Sequence, residues 1–272
     1  MQDTFARPNT APSRLTRLIG RRAVRSGVSV TDERSHEGSG GRGSAVAEAT
    51  GIGVVGFVVG LVLTTLVAAP LTQGTAAYAS VSLVAQYVGG LAVVAFCLSE
   101  FGWSLSRLRL RVPTARDLLF VVGGLLVLFG TLELTTSVLE LLGQPVGEHS
   151  ISRTAENNPA VLLPLIPLSI LVTGPVEELL YRGVVHTRLA AAFDTVPTVL
   201  VASVVFAAVH LPAYYLGTGG SVAASLVVVF VLGAVLGALY EYSGNLIVPA
   251  VAHGVYNAVT FAVNYLEITG GL

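Results

Sequence analysis

The 272-residue chain has no lysine, one cysteine, one methionine and one tryptophan, and only 11% of its residues are charged. Soluble domains carry about a quarter of charged residues. The deficit excludes a disordered chain and argues against a water-soluble enzyme. The lone Cys97 leaves no internal disulfide and no cysteine-rich metal site. A net charge of −1 argues against a nucleic-acid partner. Also missing are an HExxH zinc helix, a GxSxG elbow, a P-loop and a dinucleotide fingerprint. What is present is apolar: 53% hydrophobic residues and a mean hydropathy of +0.76. These values point to a polytopic membrane protein built from helices.

The few charges are unevenly placed. All fifteen basic residues are arginine, and eight of them precede residue 45, against four acidic residues there. This stretch ends in the run Gly38-Ser39-Gly40-Gly41, which reads as flexible. Residues 1–44 are therefore expected to be a disordered, arginine-rich cytoplasmic tail. It has no apolar run near its start, so it is not read as a cleavable signal peptide. Leu15, Leu18 and Ile19 alternate with Arg14, Arg17, Arg21 and Arg25, which would also suit a short helix on an anionic membrane surface.

Crossing about 30 Å of hydrocarbon takes roughly 20 apolar residues. Stretches 51–69, 81–99, 118–142, 159–193, 196–211, 222–240 and 246–266 qualify or come near. The stretch 159–193 holds Pro164, Pro167 and Pro175 and is either one kinked helix or two, so seven or eight spans are expected. Arginine orients them. Arg107, Arg109, Arg111 and Arg116 lie between the second and third spans, on the tail's side of a first hairpin, whereas loops 70–80 and 143–158 hold only Arg153. By the positive-inside rule, the tail and residues 100–116 are cytoplasmic and residues 143–158 lie outside. The spacings Gly56/Gly60 and Gly233/Gly237 suit close helix packing.

Polar residues inside apolar segments are costly and mark candidate sites. The run Gly174-Pro175-Val176-Glu177-Glu178-Leu179-Leu180-Tyr181-Arg182 is the first. On a helix Glu178 and Arg182 are i,i+4 and can pair, while Glu177 points about 100° away. One glutamate is then neutralised. The other is free to act as a general base toward water. A purely structural ion pair would explain Glu178 and Arg182 but leave Glu177 without a role. His210 ends the segment 196–211, and His253 and Asn257 share one face of 246–266. Alone, His210 reads as a packing histidine, and His253/Asn257 as an interhelical clamp. Together the three clusters can enclose a water with a base, a proton shuttle and oxyanion donors. His186, His149, His36, Glu133 and Glu140 are weaker candidates.

The ordered set Glu177-Glu178-x-x-x-Arg182, Phe206-x-x-x-His210 and His253-x-x-x-Asn257 resembles the signature of the CPBP family. That family comprises CAAX prenyl proteases of the Rce1 type and bacteriocin-processing or self-immunity (Abi) membrane proteins. The likeness covers roughly residues 159–266; the first 158 residues carry no diagnostic residue. It implies an all-helical intramembrane endopeptidase with a catalytic core over 159–268, preceded by N-terminal transmembrane helices over 45–158. It also implies a cavity open toward the cytosol and a membrane-associated or lipidated peptide substrate. By this likeness Glu177 and His210 activate water, His253 and Asn257 hold the oxyanion, and Glu178 and Arg182 support the site. No obligatory cofactor is expected. Zn²⁺ held by Glu177, His210 and His253 is the chemical alternative. The competing readings are an ion- or proton-coupled transporter and a catalytically silent immunity or chaperone-like membrane protein.

Overall fold

The structure, a computed structural model, describes residues 30–217 and 219–272, with side chains from Gly41 onward. The chain divides into units Met1–Gly41 and Arg42–Leu272, and the second carries the candidate site. The membrane-surface helix considered around Leu15–Arg25 lies outside the described residues, as does most of the tail.

Among the described residues the fold is all helical, with a single isolated bridge between Val146 and Ser221. Helices α1 (Val30–Val67), α2 (Ala76–Glu100) and α3 (Ala115–Leu141) are followed by a short α4 (Ser150–Asn157). Next come α5 (Pro159–Leu189), α6 (Thr195–Val209), α7 (Leu211–Tyr215), α8 (Val222–Ser243) and α9 (Ile247–Thr269). Five of these are long and apolar enough to cross a membrane: the Gly41–Val67 part of α1, and α2, α3, α5 and α8. Helix α6 is apolar but shorter. Helix α1 starts at Val30, inside the stretch expected to be a flexible tail, and carries Gly38–Gly41 in helical backbone. Once a span has nucleated a helix, each further residue adds one bond at little entropic cost, so elongation can outrun weak local propensity.

Helix ends follow local chemistry. Thr75 caps α2 by accepting from the Tyr78 amide. Thr114 and Asp117 form a reciprocal capping box on α3, and Arg111 grips the same Asp117 at 2.8 and 2.9 Å. Helix α8 begins at Ser221 and stops at Gly244, whose left-handed φ of 60° favours glycine.

The prolines of the 159–193 stretch do not split it into two helices. Residues Pro159–Leu189 are one continuous helical run with two π-helical stretches, Ser169–Thr173 and Leu179–Val185. Pro167 and Pro175 lack a donor and crowd the carbonyl one turn back; the i→i+5 turn between them absorbs both defects. Helix α5 is the centre of the bundle. Its Gly174 lies so close to α9 that a Cβ would strike the Ala250 carbonyl and, at 2.7 Å, the Gly254 amide. A Cβ on Gly254 would in turn meet the Ser169 carbonyl at 2.7 Å. This crossing brings Glu177 and Glu178, one turn on, beside His253.

The helices run between two ends of opposite character. At one end the 105–111 loop meets the α8–α9 turn: the Leu246 amide donates to the Arg109 carbonyl at 3.1 Å, and Arg109 pairs with Glu241 at 3.1 Å. Arg188 pairs with Glu48 at the same end, 2.6 Å apart. At the other end Asn158 donates to the Gly74 carbonyl, Asn264 to Ser152, and the Ser221 amide to the Pro145 carbonyl. The arginines of 107–116 and the loop 143–158 are therefore at opposite ends of the bundle.

The α5–α9 crossing yields a test. Gly174→Val places atoms where α9 backbone already sits, and overpacking costs about 1–3 kcal/mol. Gly123→Ala, whose new Cβ meets nothing within 4 Å, should be neutral or gain up to about 1 kcal/mol of helix propensity. Thermal unfolding of the two variants in detergent should show a lowered midpoint for the first only.

Candidate active site

Helix α5 supplies the centre of the site. Glu178 is fully buried, and its Oε1 accepts from Arg182 Nη1 at 3.0 Å and from His253 Nδ1 at 2.9 Å. Arg182, also buried, donates its Nη2 to the Gly233 carbonyl of α8 at 2.8 Å, and its guanidinium lies 4.4 Å from the centre of the Phe206 ring. The wider π turn stacks residues four apart more directly, which suits the Glu178–Arg182 pair. The neighbouring Glu177 points elsewhere. Its Oε1 accepts from the Tyr87 hydroxyl of α2 at 2.6 Å, and its Oε2 lies 3.8 Å from His253 Nε2 with no hydrogen-bond partner.

The residues thus form a chain: Arg182, Glu178, His253, Glu177, Tyr87. With Arg182 on one side of Glu178, His253 Nδ1 must donate on the other. That bond fixes the ring and turns Nε2 toward the free oxygen of Glu177. A gap of 3.8 Å between two polar atoms is the spacing at which an intervening oxygen is to be asked for.

His210 closes α6. Its Nδ1 donates to the Phe206 carbonyl at 2.7 Å, which leaves Nε2 as the acceptor. Phe206 is a common wall. Its ring is tilted against His210 at 4.6 Å between centres, and is edge-on to Tyr181 at 5.1 Å and to His253 at 5.9 Å. Glu177, His210, His253 and Asn257 all line one cavity of about 1040 Å³. That is at the top of the range for small-molecule sites and gives room for a peptide segment.

Glu178 and Arg182 lie behind the cavity wall and hold it. Glu133 and Glu140 are exposed and do not line the cavity. His186 is buried at the arginine-bearing end, bonded to Glu241 at 2.7 Å and edge-on to Tyr240. His36 lies outside the residues with described side chains.

Of three further contributors, Tyr87 and the Gly233 carbonyl had no signal of a site role in the sequence, and His149 was only a weaker candidate. Tyr87 is ninety positions from Glu177 and is one aromatic residue in an apolar span. Gly233 acts through its carbonyl, which no side-chain pattern reveals, although its spacing to Gly237 already marked close packing. His149, in the loop before α4, lines the same cavity as His210 and packs edge-on against Tyr214 at 5.4 Å. Its Nδ1 accepts from the Ile151 amide at 3.2 Å, capping α4. Burial, with nearby His210 as a lesser cause, pushes its imidazole down to about 4.

Glu177 Oε2 and His253 Nε2 face one another, and the Phe206 carbonyl fixes the His210 ring through its Nδ1, leaving Nε2 open. Among the described residues no three His, Cys, Asp or Glu side chains are grouped to hold an ion.

The cavity is also lined by Gln73–Thr75, Gly147, His149–Thr154, Asn157 and Asn264, all from the arginine-poor end. No lining residue comes from the 101–116 loop or the α8–α9 turn.

Residues 159–259 match the family model described as type II CAAX prenyl endopeptidase, Rce1-like. The matched stretch starts with α5 and ends just past Asn257, so it contains Glu177, Glu178, Arg182, His210, His253 and Asn257. No curated protein and no solved structure matches the chain. With its apolar helices, the protein is an integral membrane protein carrying a CAAX-protease type segment.

Two outcomes are expected. Arg182→Ala strands Glu178 in a water-free setting, and breaking a buried pair from one side costs about 3–5 kcal/mol. Thermal unfolding in detergent should therefore show a large loss, which Arg182→Lys recovers in part. His149 behaves differently with pH. Its folded value of about 4 is below the ordinary 6.5, so the unfolded chain binds the proton first and stability falls as pH drops from 6.5 toward 4. His149→Asn keeps a cap acceptor without titrating, and should flatten that part of the stability–pH curve.

Proposed function

We propose that the protein is a membrane-embedded endopeptidase of the CAAX-protease type that cleaves a peptide bond with a water activated by Glu177 and His210. The observation that carries this reading is the free Oε2 of Glu177, buried at the cavity and facing His253 Nε2 across 3.8 Å. A carboxylate oxygen in that position is matched to a water, whose other neighbours are the substrate carbonyl and the acceptor nitrogen of His210.

Glu177 Oε2 accepts one proton from the water, and the water oxygen bonds to the scissile carbonyl carbon. Tyr87 holds Oε1 throughout, so the carboxylate cannot rotate away. The negative charge that develops on the carbonyl oxygen is met by the Asn257 amide and by the His253 ring, which Glu178 holds at Nδ1. His210 Nε2 takes up the shuttled proton and delivers it to the departing amine as the C–N bond breaks. The products are a carboxylic acid and a free amine, and the acid gives up the second water proton to the amine or to solvent as they leave. No step of this reading requires a metal.

The substrate is a membrane-associated or lipidated peptide or protein reached from within the bilayer, and no nucleic acid is involved. The arginine distribution puts the N-terminal tail in the cytoplasm. Glu178 and Arg182 position His253 and do not touch substrate.

The decisive experiment compares peptide termini by mass spectrometry in cells carrying wild type or Glu177→Gln. The amide keeps the shape and the Tyr87 contact but removes the base, so cleavage should fall by about 10²–10⁴ with folded yield unchanged. Asn257→Ala should lower turnover by about 10²–10³ while leaving KM near the wild-type value. Purified enzyme should keep its activity after exhaustive chelation. Wild-type cleavage by Glu177→Gln, or activity lost on chelation and regained with zinc, would overturn the mechanism.

A further inference from the structure

Two cavities meet at Glu177. Besides the large one, a smaller cavity of about 170 Å³ lies among α1, α2, α5 and the α6–α7 corner, with Phe57, Val176, Leu180 and Val209 in its apolar wall. Four residues line both: Tyr87, His149, Glu177 and His210. Three of these have a part in the proposed reaction. The fourth, His149, comes from the loop before α4, and capping that helix uses only one of its two ring nitrogens.

The hydrogen-bonding groups at this junction are unevenly shared between donors and acceptors. Glu177 Oε2 is an acceptor without a partner, and His210 Nε2 is an acceptor because its Nδ1 donates to Phe206. The Tyr87 hydroxyl donates its one proton to Glu177 Oε1. His149 is the reverse of His210. Its Nδ1 accepts from the Ile151 amide at 3.2 Å and its imidazole is uncharged at neutral pH, so the ring proton is on Nε2. That Nε2 has no partner among the described residues and is not among the sealed polar atoms. The ring is held from two sides, by the α4 cap and by Tyr214 edge-on at 5.4 Å. Of the four shared side chains, His149 alone presents a free and fixed N–H.

A peptide laid against Glu177 brings carbonyl oxygens that need donors once they leave water. In the proposed mechanism Asn257 and His253 meet the scissile carbonyl, which leaves its neighbours along the chain without a donor. We propose that His149 is a substrate-positioning residue whose Nε2–H donates to a backbone carbonyl of the peptide next to the scissile one. This rests on the peptidase reading. Every peptide carries that carbonyl, so the contact fixes the register of the chain over Glu177 and is indifferent to its sequence. It is made alike before and during bond breaking, which places its effect on KM and leaves kcat nearly unchanged.

The test separates the two ring nitrogens, with a synthetic peptide spanning a Glu177-dependent cleavage found in cells as the probe. His149→Asn keeps an acceptor where Nδ1 caps α4 and loses the Nε2 donor. His149→Gln puts an amide donor near the place of Nε2 and loses the cap. In detergent at neutral pH, His149→Asn should raise KM about tenfold with little change in kcat or in the thermal midpoint. His149→Gln should lower the thermal midpoint and keep KM closer to the wild-type value. Wild type supplies a further arm: with probe carbonyls changed one at a time to thioamides, KM should rise at one position beside the scissile bond, and His149→Asn should abolish that difference. Wild-type KM in His149→Asn with loss of activity in His149→Gln assigns a capping role only and overturns the inference. So does a thioamide profile identical in wild type and His149→Asn. Both results leave Glu177-dependent cleavage standing, whereas the absence of any such cleavage in cells overturns the peptidase reading itself.

Discussion

The buried pair of Glu178 and Arg182 is the contact on which the rest of the polar centre depends. Both side chains are almost wholly removed from solvent, where an isolated charge costs several kcal/mol even after relaxation. Each is therefore held by more than its partner: Arg182 by the Gly233 carbonyl and the Phe206 face, Glu178 by His253. The pair ties α5 to α8 and α9 together. It also sets the ring of His253, and through that ring the direction of the Nε2 atom that faces Glu177. A support that never touches the cavity thus decides the geometry of the groups that do.

The two adjacent glutamates have been driven to opposite fates by the helix that carries them. Glu178 faces inward to a guanidinium and an imidazole. Glu177 faces the cavity, restrained on one oxygen by Tyr87 and open on the other. The prolines and π turns of α5 belong to this arrangement: they let the helix pass through Gly174 close against α9 without breaking. A straight helix of the same sequence would leave the carbonyls of Leu163 and Leu171, one turn before Pro167 and Pro175, without donors.

The membrane constrains what can line the site. A polar cavity in a bilayer protein must be lined by protein on all sides that face lipid. Here the loops 70–80 and 143–158 add to the lining that the helices provide. His149 shows how far loop and centre are joined, since it caps a loop helix while lining the same space as His210.

Much of this was legible in the residues. Composition and the length of the apolar runs determine a helical membrane protein, because the bilayer admits few other ways to satisfy a backbone. The i,i+4 spacings determine that Glu178 meets Arg182 and that His253 and Asn257 share a face, because helix geometry is local. The span stretches 81–99 and 222–240 fall within α2 and α8, and 51–69 overruns the end of α1 by two residues. Other features were beyond reach. Whether 159–193 bends or breaks depended on how its neighbours absorb the prolines. Tyr87 and the Gly233 carbonyl became partners of the site only through helix crossings that join residues far apart in sequence. The helical start at Val30 overrode a local glycine preference. The same holds for the place of the cavity. Arginine counting orients the helices, but a void is what remains after side chains from eight helices, α2 to α9, have packed, and only the tertiary structure decides where that remainder lies.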